Sequence, residues 1–95
     1  MEKIVVTRHK NLIEYLKQLN LIDDNTKVFS YATKEDISGK HVIGKLPYFM
    51  SCYAGKYTEI QLRTPEEKKG KELSLEELEF YTIGYKTYTI EEVEF

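Results

Sequence analysis

Three consecutive β-branched residues, Ile4, Val5 and Val6, run straight into Thr7, Arg8 and His9, and an apolar stripe begins at Leu12. An uninterrupted apolar strand has no polar face to turn to water, so it belongs inside a sheet covered on both sides. The stripe that follows, Leu12, Ile13, Tyr15, Leu16 and Leu19, has helical spacing with Glu14, Lys17 and Gln18 turned outward. Asn11 suits its N-cap and Asn20 its close. A strand that ends in polar groups beside a helix N-terminus is where an open α/β sheet holds its ligand. Unpaired backbone N–H groups and the helix dipole both favour an anion there. Thr7, Arg8 and His9 are therefore candidates for an anion or phosphate site. Arginine makes paired hydrogen bonds to phosphate, and imidazole is the side chain that ordinarily changes charge near neutral pH. The same residues also fit an exposed strand end carrying ordinary surface charges.

The remaining chain alternates strands with short helices. Lys27 to Tyr31 reads as a second strand, and His41-Val42-Ile43 as a third, with a turn-rich segment from Thr33 to Lys40 between them. Pro47 suits the first position of a helix over Tyr48 to Ala54, closed by Gly55. Tyr57 to Leu62 reads as a fourth strand, and Thr64 to Lys71 as a charged exposed loop. Ser74 and Glu77 make a capping box for a helix reaching about Tyr81, and Lys86 to Phe95 reads as a last strand with Tyr88, Ile90 and Val93 inward. The prediction is one α/β domain over residues 1–95, a small Rossmann-like sandwich. Its central sheet has about five strands, mostly parallel, with helices on its faces.

Composition narrows the function. Acidic and basic residues are interspersed and the net charge is −2, so no broad basic field is available to coat duplex nucleic acid. A few cations gathered in one pocket remain compatible with that total. The single Cys52 cannot form an internal disulfide, no Cys/His set has zinc spacing, and no apolar run approaches a bilayer span. Met1-Glu2-Lys3 followed by a three-residue apolar run is unlike a signal peptide. The expectation is a cytoplasmic protein with no membrane partner, no metal and no cofactor.

Gly44-Lys45-Leu46-Pro47 repeats the order of strand, glycine, cation and helix start. If the first and third strands are neighbours, this corner opens at the same carboxyl edge, and Lys45 faces the ligand held by Arg8. A glycine turn before a helix is the ordinary alternative. His41 sits at the opposite end of its strand and reads as surface, and Cys52 reads as a buried inert thiol. Neither a dinucleotide fingerprint nor a triphosphate loop is present.

At Val6-Thr7-Arg8-His9, Val42-Ile43-Gly44-Lys45-Leu46-Pro47, Pro65-Glu66 and Gly70-Lys71-Glu72-Leu73-Ser74 the chain resembles one small CRISPR-associated family, the Csx family numbered sixteen, found beside type III systems. The resemblance implies a CARF-like fold and a ring nuclease. Such an enzyme opens cyclic tetra-adenylate by metal-independent attack of a ribose 2′-OH and so switches off antiviral signalling. It implies that Thr7 binds phosphate or ribose, Arg8 balances the phosphorane charge and His9 protonates the leaving oxygen. Gly44 lets backbone approach the ring, and Lys45 or the helix start after Leu46 and Pro47 holds a further phosphate. The family commonly has proline after the histidine, where this chain has Lys10, an added cation. A two-fold symmetric ring suits an isologous homodimer. A sponge or sensor that holds the ring uncut needs the same pocket, and an adaptor needs none.

Overall fold

The computed structural model describes residues 1–95. Ile4, Val5 and Val6 fill strand β1 (Lys3–Val6) and all three are buried. Parallel strands β2 (Lys27–Phe29) and β3 (His41–Gly44) flank it, with Val5 opposite Val28 on one side and Ile43 on the other. Strand β4 (Lys56–Leu62) runs parallel to β3, and β5 (Thr82–Tyr88) closes the sheet antiparallel to β4. The order β2-β1-β3-β4-β5 is that of a small Rossmann-like sandwich, as the strand and helix pattern predicts.

Side chains alternate across β1, so both faces need cover. Ile4 and Val6 pack with Ile37, Val42 and Tyr57 under the short helices α2 (Lys34–Ile37) and α3 (Tyr48–Ser51). Val5 packs on the other face with Leu16, Ile22, Ile43 and Ile60 beneath helix α1 (Lys10–Gln18). Tyr15, Leu73 and Leu78 seat helix α4 (Leu75–Tyr81) beside α1 on that same face. The chain leaves β1 over one face to reach β2 and returns over the other to β3. The topological switch therefore falls between β1 and β3, where such sheets hold ligands.

The helix ends follow local chemistry. Asn20 takes φ 60°, and the N–H groups of Asn20 and Leu21 donate to the carbonyls of Lys17 and Leu16, a Schellman close to α1. Ser74 and Glu77 cap α4 reciprocally, as expected. At the start of α1 the expectation needs correction. His9 occupies the N-cap position without a side-chain bond, and Asn11 lies two residues inside. Asn11 instead donates from Nδ2 to the Leu73 carbonyl at 3.0 Å, while its backbone N–H donates to Glu72 Oε1 at 3.3 Å. A distant carboxylate thus does part of the capping.

Two more boundaries differ from the sequence reading. Helix α3 is one turn long with Pro47 as its N-cap, because Gly39 N–H donates to Tyr53 and Gly55 N–H donates to Lys40, drawing the chain back toward β3. Strand β5 begins at Thr82, directly after α4, and stops at Tyr88. Tyr88 pairs with Tyr57, close to the start of β4, so residues beyond it have little strand left to pair with. Ile90 rests half-buried against the Ile4 cluster, whereas Tyr88 and Val93 are exposed rather than inward. No helix is long and apolar enough to cross a membrane.

Candidate functional site

Beyond Val6 the alternation of β1 continues into its loop. Thr7 and His9 fall on the α1 side of the strand, and with Gly44 and Lys45 they line a cleft of about 780 Å³ at the carboxyl edge. Leu12 of α1 lines it together with the apolar Ile60, Leu62, Leu73 and Leu78. Thr7 is fixed twice: its N–H donates to the Phe29 carbonyl at 2.9 Å, and its Oγ1 accepts the His9 N–H at 3.1 Å. That second bond folds the corner so that His9 stands at the mouth of the cleft, exposed.

Gly44 is required for a reason internal to the sheet. Its φ is +140°, and a Cβ built there would lie 2.0 Å from the Val6 carbonyl oxygen. The bare α-carbon lets β3 close on β1, and the Lys45 N–H then donates to that same oxygen at 3.3 Å. Tyr57 pins the turn from beneath. Its hydroxyl accepts the Leu46 N–H at 2.9 Å and directs its proton toward the Gly44 carbonyl at 3.1 Å and Glu59 Oε2 at 3.2 Å. Burial pushes the phenol up to about 12, against the Leu46 N–H and with help from the Glu59 charge. Tyr57 is thus a neutral clamp at physiological pH.

Arg8 does not share the cleft. The period-two alternation turns it to the α2 side, where Nη1 donates to the Tyr31 hydroxyl at 3.0 Å and the guanidinium sits 5.4 Å from that ring's centroid. Lys10 is the exposed first residue of α1, and neither it nor Leu46 nor Pro47 lines the cleft. The sequence residues brought together are therefore Thr7, His9, Gly44 and Lys45.

The opposite wall contains residues that the sequence pattern marks only as strand and charged loop. Strand β4 runs parallel to β3, so it too ends at this edge and delivers Arg63 and Thr64 to the cleft. The charged loop follows, mostly exposed as expected, with Lys68, Lys69 and Lys71 lining the cleft around a short 3₁₀ turn over Glu66–Lys68. Lys68 Nζ lies 2.6 Å from Glu77 Oε2, which raises the lysine's pKa and, together with the Ser74 N–H, holds the Glu77 carboxyl below its ordinary value. Lys69 pairs with Glu66 at 3.0 Å. Glu59 is the one carboxylate among the lining residues. Leu62-Arg63-Thr64 ends β4 in polar groups much as Val6-Thr7-Arg8 ends β1, a likeness that becomes a signal only once β4 is known to run parallel to β3.

Two isolated groups fall outside the cleft. His41 lies at the amino end of β3 as expected, but it is half-buried rather than surface, with Nε2 2.6 Å from Thr58 Oγ1. Cys52 is also only half-buried, its Sγ 3.4 Å from the Phe49 carbonyl. No three His, Cys, Asp or Glu side chains are grouped to hold a metal ion.

What the cleft offers chemically is an exposed imidazole, a fixed hydroxyl and a set of cations around a space large enough for a nucleotide. A family model described as "Putative CRISPR-associated protein (Cas_VVA1548)" matches residues 4–91. No curated protein and no solved structure matches the chain.

Proposed function

The chain belongs to the Cas_VVA1548 family of CRISPR-associated proteins, and from that premise we propose that its cleft binds and opens cyclic tetra-adenylate. The observation that carries this reading is the convergence of Thr7, His9, Gly44 and Lys45 in one cleft at the β1/β3 switch point. Anionic ligands favour that place in the fold, and an imidazole there supplies the proton that phosphodiester cleavage consumes.

In the proposed reaction a ribose 2′-oxygen attacks the neighbouring phosphorus as the bond from phosphorus to the 5′-oxygen breaks. The 2′-proton passes to solvent, His9 protonates the departing 5′-oxygen, and linear di-adenylates with 2′,3′-cyclic phosphate ends leave. Thr7 and Lys45 hold phosphate oxygens, and no metal takes part. A ring laid across the sheet edge meets Thr7 and His9 on one side of β1 and Arg8 on the other. Arg8 then balances phosphorane charge by exchanging its Tyr31 bond for a phosphate oxygen. Lys10 and the turn at Leu46 and Pro47 lie outside the cleft and touch the ring's rim. The ring's two-fold symmetry suits a homodimer, and exposed Ile83 and Tyr85 on edge strand β5 support one. This reading places the protein in the cytoplasm, where it ends type III CRISPR signalling.

The engagement of Arg8 by Tyr31 favours a second reading, a sponge that holds the ring intact. Incubation with cyclic tetra-adenylate in EDTA, followed by product separation, decides between them. Linear di-adenylate is the expected product, and His9→Ala slows single-turnover cleavage by roughly 10²-fold or more. Intact ring with a raised melting temperature identifies the sponge. Intact ring without that rise removes both readings.

A further inference from the structure

The cleft has two walls, and only the β1/β3 wall carries the proposed chemistry. The facing wall is the more strongly charged. Arg63 and Lys71 are exposed and make no ion pair, unlike Lys68 and Lys69 beside them. The one carboxylate in the cleft, Glu59, is occupied by the Tyr57 hydroxyl at 3.2 Å and by Gln61 Nε2 at 3.4 Å. In a chain of net charge −2, this places two uncompensated cations on the wall opposite His9. The backbone beneath them is fixed. Arg63 N–H donates to the Tyr81 carbonyl at 2.9 Å, and the Leu73 carbonyl, two residues past Lys71, accepts from Asn11 of α1.

We infer that Arg63 and Lys71 form a second phosphate subsite, so that one oligonucleotide is held at two phosphodiesters, one on each wall. A mononucleotide reaches only one wall. The cleft is then selective for chain length: each additional wall contact adds a charge-assisted bond that a single phosphate cannot make. The inference rests on the nucleotide reading above but not on cleavage.

Binding to the full chain is measured by calorimetry with three probes, cyclic tetra-adenylate, linear tetra-adenylate and adenosine 5′-monophosphate, between 50 and 200 mM salt, concentrations chosen to expose counterion release. Arg63→Ala is expected to weaken both tetra-adenylates about tenfold and to lower the log–log salt slope by about 1, with Lys71→Ala adding a similar loss. Affinity for the monophosphate stays within about twofold, since its contacts lie on the other wall. Arg63→Lys recovers the salt slope but not the whole affinity, because a lysine keeps the charge and loses the paired bonds. Both side chains are exposed, so an unchanged melting temperature shows that the variants fold.

Equal losses for the monophosphate and the tetra-adenylates overturn the second subsite, as does wild-type affinity in the double variant. Failure of the wild-type chain to bind either tetra-adenylate also overturns it. If the wild-type chain binds these probes with the expected pattern yet leaves the ring intact, the ring-nuclease reading falls and the subsite stands. If it cleaves the ring and the double variant binds as tightly as wild type, the subsite falls alone.

Discussion

Strands β1 and β3 bury Ile4 to Val6 and Val42 to Gly44 without a break, whereas β5 buries none of its seven residues. Both regions belong to one sheet, yet they stand under different constraints. In the parallel half the apolar side chains of β1 and β3 are packed on both faces of the sheet, so close packing holds that part of the backbone in place. In the antiparallel half, Ile83 and Tyr85 face solvent and the strand is held chiefly by its ladder to β4. The cleft lies where the halves meet. Its His9 wall is built on the rigid strands, and its cationic wall on the exposed segment between β4 and α4. In the reaction proposed above, the groups that hold the phosphate in line benefit from the first, and groups that only attract charge tolerate the second.

Two glycines give the comparison its largest test. Gly44 and Gly84 both have positive φ, +140° and +151°, but an added Cβ meets the Val6 backbone at Gly44 and nothing within 4 Å at Gly84. Gly84→Ala is expected to cost only the backbone strain, ~1–3 kcal/mol. Gly44→Ala must in addition push β1 from β3, for a total of ~4 kcal/mol or more, in the exceptional tail of single substitutions. Urea melts of the two variants measure the difference. Equal losses would mean that β5 is as tightly specified as the parallel core.

Ser74 tests the wall itself. Its hydroxyl accepts the Glu77 N–H at 3.1 Å while Glu77 also holds Lys68, so one cap fixes both α4 and the cationic segment. Ser74→Ala is expected to cost ~1 kcal/mol. Amide exchange should quicken over residues 66–78 and remain unchanged in β1. Uniform acceleration across both would show that the cationic wall unfolds only with the whole domain.

The parallel half was also the legible half. Ile4 to Val6 announced a buried strand, the stripe from Leu12 to Leu19 a helix, and Asn20 its close, because each signal is local and repeats with the period of its element. Gly44 was legible as a special turn, but its cause was not: the group that comes close is the Val6 carbonyl, 38 residues earlier in the chain. The partition of Arg8 from Thr7 and His9 follows from period two and was available in the sequence. Arg63 and Lys68 to Lys71 were hidden in a mixed-charge stretch. Their sign matters only once β4 is known to run parallel to β3, a fact of long-range pairing. The start of β5 was hidden for the opposite reason, since a strand that buries nothing shows no alternation.

The smallest expected effect concerns the connection between the halves. His41 Nε2 lies 2.6 Å from Thr58 Oγ1, which lies 2.7 Å from Thr87 Oγ1, so a chain of polar contacts runs from β3 through β4 to β5. Burial, then the charges of Lys3 and Lys56, push the His41 pKa below 6.5 in the folded protein. The unfolded chain takes up that proton near 6.5 and the folded one only at lower pH. Stability from the neutral ring is therefore fully present above pH 6.5 and is lost as pH falls through the folded value. Urea midpoints between pH 8 and pH 5 should decline on the acid side, and His41→Gln should flatten the decline. A protonated ring donates from both nitrogens, so Thr58 must then turn its own hydrogen toward Thr87. If the polar chain helps hold the halves together, amide exchange in β5 quickens with acid before that in β1. Acceleration in step would assign the titration to the sheet as a whole and leave β5 held by its ladder alone.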